Sequence, residues 1–469
     1  MLTFTKQIPV LNPAAVIVVG SGSAGATAAI AAGRWLRRRG HTEPVVLIER
    51  HGFAGGTSTA VLDTFYGFYT PGSVSKKVVG GVPDDVVHAV AELDRVIERP
   101  NTFGAGTGIT YNPEFLKIAW ERLALAAGVR ISYHTMFVDV LEENGRISGV
   151  VVANKAGLAA IPAAVVVDAS GDADVCARAG VPFERAGDIE PGQTLTTTFR
   201  LANVDSVRAR AFPRSAMVEK MKEAAASGRY ELPRREGSIH ITPIESVMAT
   251  IMTRLADVDA TDPEQLSAAE TAGRSQALEY ERFLRDLIPG YENARIVAFC
   301  AQIGVRETRR VYGQYRLTRQ DVLSAAKFPD VIGLCGAPIE DHHAGHTTRW
   351  SYLPEGETVD IPYRALIPRT GEGLIVAGRC FSATHDAHAS VRSMAQCMAM
   401  GQAAGLAAAL SFVHHLSPGE INIHELQTEL RAMGAVLETP GKDKSLSNAI
   451  TADASIAVPG DRAGHYHQN

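Results

Sequence analysis

The chain has 469 residues, of which 46% are hydrophobic and 21% charged, and a formal net charge of −5. That length exceeds one ordinary hydrophobic core, and the composition excludes a disordered or fibrous chain. The mild negative charge leaves no electrostatic footprint for nucleic acid or an anionic membrane, and the longest apolar stretches are strand-length or broken by glycine and charge.

Residues 1–13 hold one lysine and no long apolar run, so no secretory signal is read there and the cytoplasm is the expected location. Residues 14–19 are apolar and mostly β-branched, which predicts a buried parallel strand. The strand runs directly into Gly20-Ser21-Gly22-Ser23-Ala24-Gly25, a GxGxxG pattern. Residues 26–39 are alanine-rich and end in Arg37, Arg38 and Arg39, which predicts a helix stopped by Gly40. Residues 45–48 predict a second buried strand, ending on Glu49. Gly20 permits the tight turn, Gly22 lets backbone N–H groups approach a pyrophosphate, and Gly25 lets helix and strand pack closely. The helix N-terminus supplies the positive pole, and Glu49 can accept hydrogen bonds from a ribose while repelling a 2′-phosphate. Strand, helix and acid together predict a dinucleotide site that disfavours NADP.

Arg50 and the small-residue loop Gly55-Gly56-Thr57 follow. The aromatic stretch at residues 65–69 suits a pocket lining and core packing equally. Asn112-Pro113 reads as an N-cap with proline at N1, and Phe115, Leu116, Ala119, Trp120 and Leu123 mark one helical face ahead of Gly128. Residues 129–138, 147–154 and 159–168 predict an antiparallel meander, turned at Asn144-Gly145 and Ala156-Gly157. Its last strand ends in Asp168-Ala169-Ser170-Gly171-Asp172. From residue 183 the pattern changes: a strand at 194–202, helices at 213–227 and 263–287, and a strand or mixed segment at 239–251. Strand followed by glycine recurs at 374–379, with a helix at 391–410. An amphipathic helix is predicted at 423–433 with Gly434 as its stop, and a loose polar tail after residue 457.

Taken together, these segments resemble the FAD-dependent oxidoreductase family of two-domain flavoproteins of the glutathione-reductase type. The resemblance rests on Gly20–Gly25, Gly55-Gly56-Thr57, Gly80–Asp85, Asp168–Asp174, Arg306–Gly313, Val376–Arg379, Gly401–Gly405 and Leu426–Leu430. It implies an α/β fold: a glutathione-reductase-like FAD-binding domain, with a parallel sheet, a GxGxxG βαβ unit and an antiparallel meander, plus an α+β substrate domain. The expected boundaries are 1–185 and 366–415 for the FAD domain, 186–365 for the substrate domain, and 416–469 for a C-terminal helix and tail. FAD is the expected cofactor. Its expected contacts begin with Gly20, Gly22, Ser23, Ala24, Gly25, Glu49, Arg50, Gly55, Gly56 and Thr57. They continue with Val138 on the meander, Ala169, Ser170, Gly171 and Asp174 in the turn after it, and Gly378, Arg379, Ser390, Val391 and Ala395 near the C-terminal helix. In this fold the last βα unit returns to the nucleotide domain, and its helix begins at the isoalloxazine.

A flavin reaction needs a group to move the proton that accompanies the hydride, and histidine titrates in the right range. His385 and His388 stand in the predicted loop before that last helix, with Asp386 as a candidate orienter. His342, His343 and His346 form a second group, of which His343 is the candidate. Arg306, Arg309 and Arg310 suit either recognition of a carboxylate, with Arg306 foremost, or an internal ion-pair network with Glu307 and Asp321. HDxH and HHxxH fix no third ligand, so no metal is expected. The five cysteines are scattered with no CxxC, which predicts buried thiols without a disulfide framework. With one GxGxxG and no redox CxxC, the expected activity is dehydrogenation of a small organic molecule by hydride transfer to flavin N5. A non-redox flavin enzyme and an FAD-bearing electron-transfer subunit are the alternatives. Substrate identity, electron acceptor and oligomeric state stay open.

Overall fold

Alanine and valine-rich strands with no polar side chain must be covered on both faces, and all six residues of β1, Ala14–Val19, are buried. In the computed structural model, which describes residues 5–73, 75–100, 104–343 and 345–439, β1 is a central strand. On one side it pairs in parallel with β2, Val45–Ile48, and on the other with Gly157–Asp168. Arg130–Ser132 extends the sheet beyond β2 in parallel. Arg146–Asn154 and Met136–Glu143 add antiparallel strands next to Gly157–Asp168. Leu374–Val376, more than 200 residues later in sequence, joins the same sheet in parallel, with Leu374 beside Val166. The result is a mixed seven-stranded sheet in an α/β fold.

Residues 129–138 were expected to be one strand and are two. Arg130–Ser132 belongs to the parallel part and Met136–Glu143 to the meander, and between them His134 has φ 51°. The division follows from a change of pairing partner, and a histidine in left-handed backbone carries no propensity signal for it.

The first helix, α1 (Ser23–Arg38), crosses the 21-residue helix Met394–His414 at very short range. A Cβ on Gly401 would lie 2.1 Å from the Ala24 carbonyl oxygen, and one on Gly405 would lie 2.0 Å from that of Ala28. Small residues on both helices make the crossing possible, and it carries the N-terminus of Met394–His414 toward the first glycine turn. Met394–His414 has the length and mean hydropathy (1.3) of a membrane span, but 78% of that window is buried inside the protein. It is the central core helix here.

In the middle block, Ser238–Ile241, Met248–Ile251, Phe199–Ala202 and Arg295–Phe299 form a four-stranded antiparallel sheet. The expected segment at 239–251 is thus a hairpin. The helix Pro263–Leu287 starts and ends as the sequence predicts, capped by Asp262, whose carboxylate accepts from the Glu264 and Gln265 amides. Tyr280, Phe283 and Leu284 on that helix pack with Phe199 and Met248. Asn112 caps Pro113–Ala126 in the same way. Contacts gather residues Met1–Thr439 into one compact unit. The tail expected after residue 457 lies outside the described residues.

Candidate active site

The GxGxxG turn is a cradle that side chains would fill. Gly20 adopts φ +90°, and a Cβ there would meet the Ala169 carbonyl oxygen at 2.6 Å. A Cβ on Gly25 would lie 1.8 Å from the Gly20 oxygen, so strand and helix touch backbone to backbone. Around Gly22 the nearest atom to a Cβ is the Gly56 Cα at 3.9 Å, so this face is open. No side chain caps α1. The Ser23 hydroxyl oxygen beside the open face is buried with no hydrogen-bond partner. Orphan first-turn N–H groups, an unpartnered hydroxyl and an open glycine face are what a pyrophosphate requires. Gly55 bridges to Gly22 as a parallel β-bridge, and its amide donates to the Ser21 carbonyl at 2.8 Å. The Gly55-Gly56-Thr57 loop therefore lies along the same cradle, and Thr57 opens the helix Thr57–Ala60.

Glu49 directly follows β2 and is only 6% exposed. Its Oε2 accepts from the Ser21 amide (2.9 Å) and hydroxyl (2.6 Å), and its Oε1 accepts from the His51 amide at 2.8 Å. These bonds fix the carboxylate beside the glycine turn, and the two oxygens keep further lone pairs for ribose hydroxyls. Glu49→Ala is expected to weaken FAD by about 2–4 kcal/mol, read by fluorescence titration of the apoprotein, with Glu49→Gln intermediate. An unchanged affinity would mean that Glu49 serves only to hold Ser21 and His51. Arg50 points elsewhere, donating to Gln302 at 2.8 Å.

Val138 sits where the register of Met136–Glu143 slips between Phe137 and Asp139, so its peptide groups are outside the ladder. Thr135, on the same approach, donates its amide to the Glu49 carbonyl at 3.0 Å. After Gly157–Asp168 the chain turns sharply. Asp168 accepts from the Ser170 amide (3.1 Å), the Ser170 hydroxyl (2.7 Å) and the Cys176 amide (2.9 Å). The Ala169 amide donates to Val19 at 3.0 Å, which locks this turn beside the glycine turn. The Asp174 carboxyl is pushed up to about 6 by burial and by Asp172 and Asp168, against the pull of Arg309. Gly378 (φ +85°) lies against Ala24 and Cys397, joining the C-terminal turn to the cradle. Arg379 is taken by Asp172 (2.8 Å) and Thr308 (3.2 Å). The side chains of Ser390 and Val391 are committed to packing, with the Ser390 hydroxyl donating to the Ala337 carbonyl at 2.6 Å. Ala395 is also fully buried, and its amide donates to Tyr66.

His385 and His388 were expected in a loop, but they form one face of a short helix, His385–Val391. Seven residues are too few to show a period, and Thr384 gives no side-chain cap. His385 is enclosed between two acids. Its Nδ1 lies 3.0 Å from a Glu307 oxygen and its Nε2 3.4 Å from Asp341. Burial alone would lower its pKa, but hydrogen bonds and charge from Asp341 and Glu307 outweigh that and raise it to about 10. Glu307 moves the opposite way, to about 2, because the hydrogen bond and charge of His385 and the charge of Arg310 overcome its burial. His388 donates from Nε2 to the Arg379 carbonyl at 2.8 Å and stacks near Phe381. Burial, then the charges of Arg392 and Arg310, hold it neutral with its Nδ1 unpartnered.

The cluster draws on distant segments. Gln193 donates its amide to Glu307 (3.1 Å), and its side chain meets His385 (3.4 Å) and the His342 amide (2.8 Å). His343 faces Asp341 at 3.7 Å. Arg306 donates to the Thr194 carbonyl at 2.5 Å. Thr308, next to Glu307, donates to Asp172, so the cluster is tethered to both turns that flank the cradle. Thus His385, His388, His343 and Arg306 gather at one place. Glu307, which the sequence offered only as an ion-pair partner of the arginines, completes it together with Asp341, Glu340 and Gln193, which no spacing in the sequence singled out. Arg310 does pair with the expected Glu307, and also with Glu184, while Arg309 pairs with Asp174. Asp321 instead caps the helix Arg319–Leu323 through Thr318. Phe65 and Phe68 are core residues. Glu190, His385 and Asp386 could bring ligand atoms within 4.8 Å of one another, but both His385 nitrogens already face carboxylates. All five cysteines are free, and Cys176, Cys335, Cys380 and Cys397 are buried.

Because the folded pKa of His385 is raised from 6.5 to about 10, its contribution to stability is fully present below about pH 6.5 and is lost as pH rises through about 10. The melting temperature should fall across that window, and Glu307→Gln should flatten the fall. A wild-type curve that is flat from pH 7 to 10 would contradict the pairing.

No curated protein matches this chain. Among solved structures it is similar to a geranylgeranyl bacteriochlorophyll reductase-like protein from Thermoplasma acidophilum, at 14% identity and TM-score 0.45, covering 90% of this chain and 84% of that one. It is also similar to a flavin-dependent brominase, at 14% identity and TM-score 0.44, with 90% and 83% covered. A p-nitrophenol 4-monooxygenase from Pseudomonas putida follows at 11% identity and TM-score 0.44, with 90% and 81% covered. All three scores lie below 0.5, so these likenesses carry no argument about activity. The family model for FAD dependent oxidoreductases matches residues 15–430, which takes in the glycine cradle, the His385 cluster and the returning strand. The chain belongs to the FAD-dependent oxidoreductase family, with FAD as its cofactor.

Proposed function

We propose that this flavoprotein, with a FAD domain of the glutathione-reductase type, dehydrogenates a small organic molecule, with His385 handling the proton. Bound FAD supplies a two-electron acceptor for a hydride at N5. The observation that carries the reading is the Glu307–His385–Asp341 array, anchored through Thr308 to the Asp172 turn and through His388 to Arg379. Such an array holds a proton at a fixed place beside the cofactor half of the molecule. His385 orients through both nitrogens, and its enclosure by acids keeps the proton to about pH 10. In the dehydrogenating direction the neutral imidazole is the acceptor, through Nε2, whose 3.4 Å contact with Asp341 is the looser of its two, so the reaction should speed up by about tenfold per pH unit below about 10. His388, neutral and enclosed, positions the helix His385–Val391 on Arg379.

The experiment is anaerobic mixing of the FAD-loaded protein with a panel of reduced metabolites while flavin absorbance is followed. Bleaching by a subset, with a rate that rises with pH, supports dehydrogenation. A product formed without bleaching would favour the non-redox alternative, and bleaching by a reduced protein partner alone would favour electron transfer.

A further inference from the structure

Three arginines at the edge of the His385 cluster, Arg234 buried and Arg306 and Arg392 half-buried, have no acid at ion-pair distance. Arg234 is 8% exposed. Its Nη1 donates to the Ile251 carbonyl at 3.2 Å, and its Nε is shut off from solvent without a partner. Arg392, just past the helix His385–Val391, has both Nε and Nη2 buried and unpartnered. Arg306 has its one bond to Thr194. Among the described residues no carboxylate lies within 4 Å of any of the three. The nearby acids are committed elsewhere: Glu340 to His342 at 3.0 Å, and Glu307 and Asp341 to His385. Arg254 is different, because it holds a loop by donating to the Gly345 and Thr347 carbonyls and to the Thr348 hydroxyl. Thr348 in turn bonds His342 Nδ1 at 3.1 Å, and the Thr194 amide donates to the His342 carbonyl at 2.9 Å. Arg306 and Arg254 therefore flank one histidine. Burial, then the charges of Arg234 and Arg392, drives the Arg306 guanidinium well below its ordinary range, with Glu340 opposing. A guanidinium in low dielectric with no carboxylate at ion-pair distance, and only Glu340 acting from farther off, is costly, so the cluster is arranged for an anion that comes from outside the chain. The FAD phosphates are not that anion. They belong at the Gly22–Ser23 cradle, and Arg379, which borders the Asp172 turn, is already neutralised by Asp172.

We propose that Arg234, Arg306 and Arg392 bind a carboxylate group of the substrate, so the molecule oxidised here is an organic acid. The planar fork of each guanidinium matches a carboxylate, and Arg306 precedes Glu307, so the anchored acid lies next to the proton-handling histidine. The assignment rests on the dehydrogenation reading for its word "substrate", while the anion site itself stands on the arginines.

The test uses FAD-loaded protein with malonate as probe and malonamide as its neutral counterpart, read by thermal shift and by perturbation of the flavin spectrum. Malonate should raise the melting temperature and shift the spectrum saturably, and malonamide should do neither. Arg306→Met and Arg234→Met should each weaken malonate by about 10- to 100-fold, and Arg306→Lys should lose less than Arg306→Met. Without malonate, the Met variants should melt no lower than wild type, because an unpaired buried charge has been replaced by an apolar side chain. A structural ion-pair role would lower them. An equal response to malonamide, tighter binding of inorganic phosphate than of malonate, or unchanged malonate affinity in both Met variants would overturn the proposal. The wild-type comparison of the two probes decides even if a variant fails to fold. Malonate binding with no carboxylate able to bleach the flavin would leave the anion site standing and sink dehydrogenation. Bleaching by neutral compounds alone, without malonate binding, would do the reverse.

Discussion

Gly25→Ala is expected to give protein without bound FAD. The new Cβ would lie 1.8 Å from the Gly20 oxygen and 3.0 Å from the Ala169 side chain, and the first of these is rigid backbone. Relief requires α1 to back away from β1, which takes the first-turn N–H groups away from the pyrophosphate. Overpacking of this kind costs about 1–3 kcal/mol of stability, and the displaced donors cost further binding energy on top. Gly40→Ala is the control. It also strains a left-handed position (φ +79°), but a Cβ there meets nothing within 4 Å. Both variants should melt below wild type, and only Gly25→Ala should leave gel filtration colourless. If Gly25→Ala retains a full complement of flavin, the cradle is not where the pyrophosphate binds.

His385→Asn is expected to slow anaerobic flavin reduction by about 10²–10⁴-fold and to abolish its rise with pH. Asparagine keeps a donor near Asp341 or Glu307 but cannot take a proton, so the loss of pH dependence reports chemistry rather than packing. FAD content should persist, since the cradle contacts lie in other segments. A variant that is slower at every pH with an unaltered slope would make His385 a positioning residue and move the proton to another group. His343, which faces the same Asp341 at 3.7 Å, is the next candidate.

The first half of the site was legible because it is local. Strand, glycine turn, helix, second strand and Glu49 follow within 36 residues, and each requirement of a dinucleotide cradle is a requirement on one residue type at one spacing. The helix cap at Asn112 was legible for the same reason, since the capped amide lies two residues away. The second half was not. Histidine in HDxH shows that proton chemistry is available, but whether it is charged depends on Glu307, 78 residues earlier, and Asp341, 44 residues earlier. The arginines of Arg306–Arg310 look equivalent in a row. In space Arg309 and Arg310 meet Asp174, Glu184 and Glu307, while Arg306 meets no acid.

The sequence by itself therefore determined the dinucleotide cradle and its flanking strands through short-range sterics and side-chain periodicity, while FAD as the cofactor and the return of the strand at Leu374 followed from the resemblance to the FAD-dependent oxidoreductase family. Tertiary structure decided which histidine is held as a cation, which arginines stay unpaired, and that both meet beside the Asp172 turn. Those outcomes depend on Coulomb interactions and desolvation between segments far apart in the chain, and such terms take values only once the fold has set the distances.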